Sequence, residues 1–194
     1  MTSLDVRAAR PRSLPNGWWG MLVFVAGEAT LFGCLLGSYF YLRLQSVHWP
    51  QGGIEPKDPL VPIVLVGVLA ATSVFMQLAS AAAVRGRAWA AVAPLLLALL
   101  VQTGYFAFEV HDFRADLATF SPHDNAYASI YYTLLGADHA HVALGLLLNA
   151  WVLFRLLGGL TTYRLNALRA VTLYWHAVNV ITIVVTATIL SPSA

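Results

Sequence analysis

Charged side chains are scarce in this chain: 11 Lys and Arg and 9 Asp and Glu make up 10% of its 194 residues, against about 25% in ordinary soluble domains. So few charges cannot cover the surface of a water-soluble globule of this size. With 59% hydrophobic residues and a mean hydropathy of +0.70, the composition fits lipid as solvent. Cysteine is nearly absent: Cys34 alone cannot form an internal disulfide, so it says nothing about redox compartment. The net charge of +2 gives no sign of a nucleic-acid partner. Catalytic signatures are also lacking, with no Gly-x-Ser-x-Gly turn, glycine-rich phosphate loop, His-Glu-x-x-His or Cys-x-x-Cys-His. No catalytic residue is therefore assigned.

What the chain has is long uncharged runs. A bilayer core about 30 Å thick needs roughly 20 apolar residues at 1.5 Å per residue. Five runs qualify, at 18–42 (broken only by Glu28), 60–84, 88–108, 126–154 (broken only by Asp138) and 170–191. They are continuous rather than alternating, which disfavours barrel strands. The expected fold is all-α, a polytopic bundle of five transmembrane helices forming a single membrane domain over 1–194. Short connections at 43–59, 85–87, 111–125 and 155–169 leave no room for another domain. Arg7, Arg10, Arg12, Arg85, Arg87, Arg155, Arg164 and Arg169 fall on one side and Arg43, Lys57 and Arg114 on the other. Eight basic groups against three predict a cytoplasmic N-terminus, with a tail at 1–16, and a C-terminus outside. Trp18, Trp19, Trp49 and Trp89 fall at span ends, where interfacial anchors belong. The first span is too long for a secretory signal and contains Glu28.

An ionisable group at the bilayer centre costs at least about 2.5–3.5 kcal/mol on insertion scales. Glu28 and Asp138 must each be protonated, paired, or turned toward protein or water; a buried interhelical contact, a proton relay and a site completed by another subunit all fit. On the fourth run Asp138 and His141 share a face that continues through Gly145 and Asn149, while His139 points away. The two histidines cannot chelate one ion, and no Glu-x-x-His repeat accompanies them, so no metal site is expected. Thr172, His176 and Asn179 form a second polar stripe on the fifth run, beside Trp175. Glu109 reads as a helix-end group. Ala29, Gly33 and Gly37 are a small-xxx-small series, which predicts close helix packing within the bundle or against a partner.

Several ordered motifs then converge. They are Trp19-Gly20-Met21, Gly27-Glu28, Tyr39-Phe40-Tyr41-Leu42-Arg43, Trp49-Pro50, Pro59-Leu60-Val61-Pro62, Ala71-Thr72-Ser73 and Phe108-Glu109 with His111. The chain resembles subunit III of the haem-copper terminal oxidases, in the shorter five-helix bacterial form that lacks two helices of longer members. Two family motifs match in part. Gly-Phe-His-Gly-Leu-His-Val is Gly136-Ala137-Asp138-His139-Ala140-His141-Val142 here, and Tyr-Trp-His-Phe-Val-Asp-Val-Val-Trp is Tyr174-Trp175-His176-Ala177-Val178-Asn179-Val180-Ile181-Thr182. The resemblance implies a subunit without redox metals in the bacterial plasma membrane. Haem and copper would sit in partner subunits, and the chain would pack against catalytic subunit I, together with subunit II, and against membrane phospholipid. It would stabilise subunit I and support proton uptake during oxygen reduction. Glu28, Glu109, His141 and His176 would match the family's polar network, with Asn179 in place of its Asp; Asp138 has no counterpart. An accessory subunit of a nitric oxide reductase system is the related alternative. A free-standing proton-coupled carrier using Glu28, Asp138 and His141 is the other, although carriers usually break their helices and the only proline well inside a span is Pro94.

Overall fold

The computed structural model describes residues 15–191, so most of the tail expected at 1–16 lies outside the described residues. Five helices carry the chain: α1 (Asn16–Leu44), α2 (Leu60–Val84), α3 (Ala88–Thr119), α4 (Ala126–Leu157) and α5 (Thr162–Ile189). Among the described residues there is no strand, and all five helices are long and apolar enough to cross a membrane.

Two boundaries differ from expectation because a charge was read as the end of a helix. α3 continues past Phe108 to Thr119, since neither glycine nor proline interrupts it before Pro122 and its acidic groups find partners on the bundle. α5 begins at Thr162 rather than 170: the Thr161 side chain accepts a hydrogen bond from the Arg164 amide and caps the helix there. Asn125 caps α4 likewise, accepting from the Ala128 amide at 2.8 Å. The three-residue turn between α2 and α3 relies on Gly86 at φ +74°, a conformation glycine takes without steric cost.

α4 and α5 form the centre of the bundle. α4 packs on α1, α3 and α5, and α5 on α1, α2 and α4. α2 pairs with α3, whereas α1 touches only α4 and α5, so sequence neighbours α1 and α2 are not packed together. Half of the most apolar stretch of α5 is buried, against 6% for α1, which makes α1 the peripheral helix.

The core divides by depth. Toward the Arg85 end, Ala79, Ala83, Ala91 and Ala98 are fully buried where α2 meets α3, and their small side chains let the backbones approach. On the same half, Gly145 leaves room for Trp175, whose ring would lie 2.9 Å from an added Cβ. Toward the Lys57 end the core is aromatic. Trp49 packs edge-on against Tyr39 and Tyr127, with ring centroids 5.2 and 5.0 Å apart, and its Nε1 donates to the Tyr39 hydroxyl at 2.9 Å. Arg43 donates to Ser191 Oγ at 2.6 Å, tying the C-terminal ends of α1 and α5.

Candidate functional site

The polar side chains of the interior sort by the helix that α4 presents them to. His141 faces α1, where its Nε2 lies 2.5 Å from Glu28 Oε2. Its Nδ1 lies 2.6 Å from the Ala137 carbonyl, an oxygen that only accepts, so Nδ1 carries a hydrogen. One proton then serves both the Nε2 position and the carboxyl, and the pair is neutral whichever group holds it. This arrangement removes the net charge that would burden Glu28 at this depth. Phe32 closes the pocket edge-on to the imidazole at 5.1 Å, and the Tyr174 hydroxyl donates to the His141 carbonyl at 2.9 Å.

Asp138 faces α5. It is 6% exposed, and its Oδ1 accepts from the Thr182 hydroxyl at 2.8 Å. These are two of the positions at which the sequence departs from the subunit III pattern, and they meet in one hydrogen bond. His139 faces α3, with its Nε2 3.8 Å from Glu109 Oε2, while its Nδ1 donates to the Leu135 carbonyl at 2.5 Å. The α4 histidines thus address different helices. Among the described residues no group of three or more His, Cys, Asp and Glu side chains could hold a metal ion.

Two further polar contacts run between other helices. His176 Nδ1 and Asn179 Nδ2 of α5 approach Ser73 Oγ of α2 at 3.1 and 2.6 Å. Asn149 Nδ2 of α4 donates to Gln102 Oε1 at 2.7 Å, and Gln102 Nε2 donates to Thr72 Oγ1 at 3.2 Å. The expected residues Glu28 with His141, and His176 with Asn179, are brought together. Glu109 is paired with a residue set aside in the sequence reading, His139. Ser73, Gln102 and Thr182 carried no charge to mark them, although Gln102 is an amide deep in an apolar run.

Sequence reasoning also missed Lys57, which forms ion pairs with Asp112 and with Asp116, the latter at 2.8 Å, while the Tyr131 hydroxyl donates to Asp116. Burial works against the ammonium charge, but the bonds to Asp112 and Asp116 outweigh it and hold Lys57 above its usual value of 10.5. A group raised on folding contributes stability that is complete below its unfolded pKa and is lost as pH rises through the folded one. The difference in Tm between wild type and Lys57→Met should therefore stay level from neutral pH to about pH 10 and shrink only above that. A thermal-melting series in detergent across that range checks it.

The small-residue series is expected to pack either within the bundle or against a partner. Ala29, Gly33 and Gly37 are exposed, and a Cβ added at Gly33 or Gly37 would meet nothing within 4 Å. They run along a stripe turned away from buried Phe32 and Tyr39 by about 60° at Ala29 and about 140° at Gly37. Packing within the bundle is therefore excluded for this face, because the residues α1 buries are Phe32 and Tyr39.

The sequence model of the cytochrome c oxidase subunit III family matches residues 13–191. Cytochrome c oxidase subunit 3 of Coturnix japonica is 28% identical over 170 residues, covering 84% of this chain and 64% of that protein. The Rhizopus stolonifer protein of that name is 30% identical, covering 84% and 59%. Subunit 3 of a cytochrome bo(3) ubiquinol oxidase from Pseudomonas aeruginosa is 29% identical over 178 residues, covering 88% and 82%. The chain spans just under two thirds of the length of the cytochrome c oxidase relatives, and more of the ubiquinol oxidase one. With five apolar helices and a family match across nearly all of its length, this multi-pass membrane chain belongs to the haem-copper oxidase subunit III family.

Proposed function

We propose that the chain is a non-catalytic subunit of a respiratory haem-copper oxidase in a bacterial plasma membrane, stabilising catalytic subunit I and supporting proton uptake during oxygen reduction. The observation that carries this reading is the Glu28–His141 pair, a proton-sharing carboxyl and imidazole near the middle of the membrane span. Such a pair can give up or take a proton while its neighbours keep their bonds. The outward Ala29, Gly33 and Gly37 face of α1 supplies a surface on which another helix can lie close, and subunit I is its proposed occupant. Haem and copper belong to partner subunits, and phospholipid fills the remaining perimeter. The basic residues at the Arg85 end support a cytoplasmic N-terminus. A free-standing carrier finds no support in the helices: α3 runs unbroken through Pro94, and none of the five is interrupted.

The test is Glu28→Gln in the intact complex. The substitution keeps size and hydrogen bonding but ends proton exchange at the carboxyl. Haem content should be unchanged while sustained turnover or proton uptake falls several-fold. Wild-type behaviour in both assays would make Glu28 a packing group only.

A further inference from the structure

Between α2, α3, α4 and α5 lies a cavity of about 350 Å³ whose mouth is at the Lys57 end. Lys57 and Asp112 stand at that mouth, with Asp112 44% exposed. Val61, Leu65, Leu135 and Val185 form apolar walls, and Tyr105, Glu109, His139 and Asp138 add polar groups. Asp138 lies twelve residues along α4, about 18 Å from its N-terminal end at 1.5 Å per residue. The cavity therefore reaches from the membrane surface to the depth of the buried carboxyl groups.

Asp138 brings to it an acceptor in want of a donor. Thr182 bonds only Oδ1 of Asp138, and Oδ2 takes no hydrogen bond from the protein. His139 has given its Nδ1 hydrogen to the Leu135 carbonyl, and its buried Nε2 has no hydrogen bond, Glu109 Oε2 lying 3.8 Å away. Two of the three Lys57 hydrogens are directed to Asp112 and Asp116 at the mouth. Buried acceptors left bare are costly, and water settles in a space that is polar and large enough. The volume has room for several waters, which can bond one another as well as the Asp138, Glu109 and Tyr105 side chains.

We propose that this cavity is a hydrated chamber in which Asp138 binds and releases a proton in exchange with the aqueous phase at the Lys57 end, separately from the Glu28–His141 pair. A hydronium in the chamber gives its proton to Asp138 Oδ2, forming one O–H bond and leaving water, while the Thr182 bond to Oδ1 is kept; release reverses the step. The groups around Asp138 are Tyr105 and Glu109 from α3, His139 and His141 from α4, and Thr182 and Tyr174 from α5, with Asp58, Lys57, Asp112 and Tyr131 toward the mouth. Neither Glu28 nor His141 lines the cavity, which ends at Asp138. The chamber is built from this chain's own residues, so it stands whichever catalytic subunit α1 meets.

Sided labelling tests the access. In the full chain in its native membrane, on a Cys34→Ser background, Asp138→Cys should react with a membrane-impermeant cationic methanethiosulfonate from the face that modifies Glu55→Cys. It should not react from the face that modifies Arg85→Cys. Leu135→Cys, in the cavity wall, reports the same access should Asp138→Cys fail to assemble. Infrared pH titration tests the proton: a carboxyl C=O stretch that shifts in D2O should vanish in Asp138→Asn and persist in Glu28→Gln. Silence at both cysteine positions, labelling only from the Arg85 face, or a titrating band indifferent to Asp138→Asn would overturn the proposal.

Discussion

Removing one member of the Glu28–His141 pair should destabilise the chain more than removing both. Glu28→Leu leaves the His141 ring without its partner at 2.5 Å, and His141→Leu leaves the Glu28 carboxyl without its imidazole in the membrane interior. Breaking a buried pair by taking away one partner costs about 3–5 kcal/mol, whereas replacing both by apolar residues is often neutral or better. The double variant Glu28→Leu with His141→Leu should recover most of the loss in stability, measured by thermal unfolding in detergent, without recovering turnover. Additive losses would show that the two groups are not coupled.

The second large effect should come from α1, and it should spare the fold. Gly33→Leu with Gly37→Leu places bulk where nothing of the chain itself lies within 4 Å of the new Cβ atoms. The chain alone should melt as wild type does, while its recovery with the other oxidase subunits should fall at least about tenfold, the loss expected for a few kcal/mol of helix packing. Equal recovery of partners from wild type and variant would place the docking surface elsewhere.

The contrast between these sites shows what the sequence could convey. Span positions were legible because the bilayer imposes a length and forbids unpaired charge, and every expected run became a helix. The C-terminal end of α3 and the start of α5 were not, because a charged residue marks a helix end only where it has no partner. Asp112 and Asp116 have Lys57, which comes from a loop far away in sequence. Glu28 and Asp138 announced themselves by their rarity in apolar runs. Their partners did not: helical periodicity put Asp138 and His141 on one face, yet they sit at its two edges and reach α5 and α1 respectively. Thr182 is an unremarkable residue for a membrane helix until Asp138 is found against it. The small series on α1 was visible as a close-packing face, but periodicity alone cannot say whether such a face looks inward or outward.

On the function proposed above, this chain works as a subunit of an oxidase. Purification of the tagged chain from its native membrane in gentle detergent, with haem spectra and mass-spectrometric identification of the companion chains, tests it most directly. The expected product is a haem-bearing complex that contains a catalytic subunit I and reduces oxygen. A lone, haem-free protein that transports a solute would contradict it.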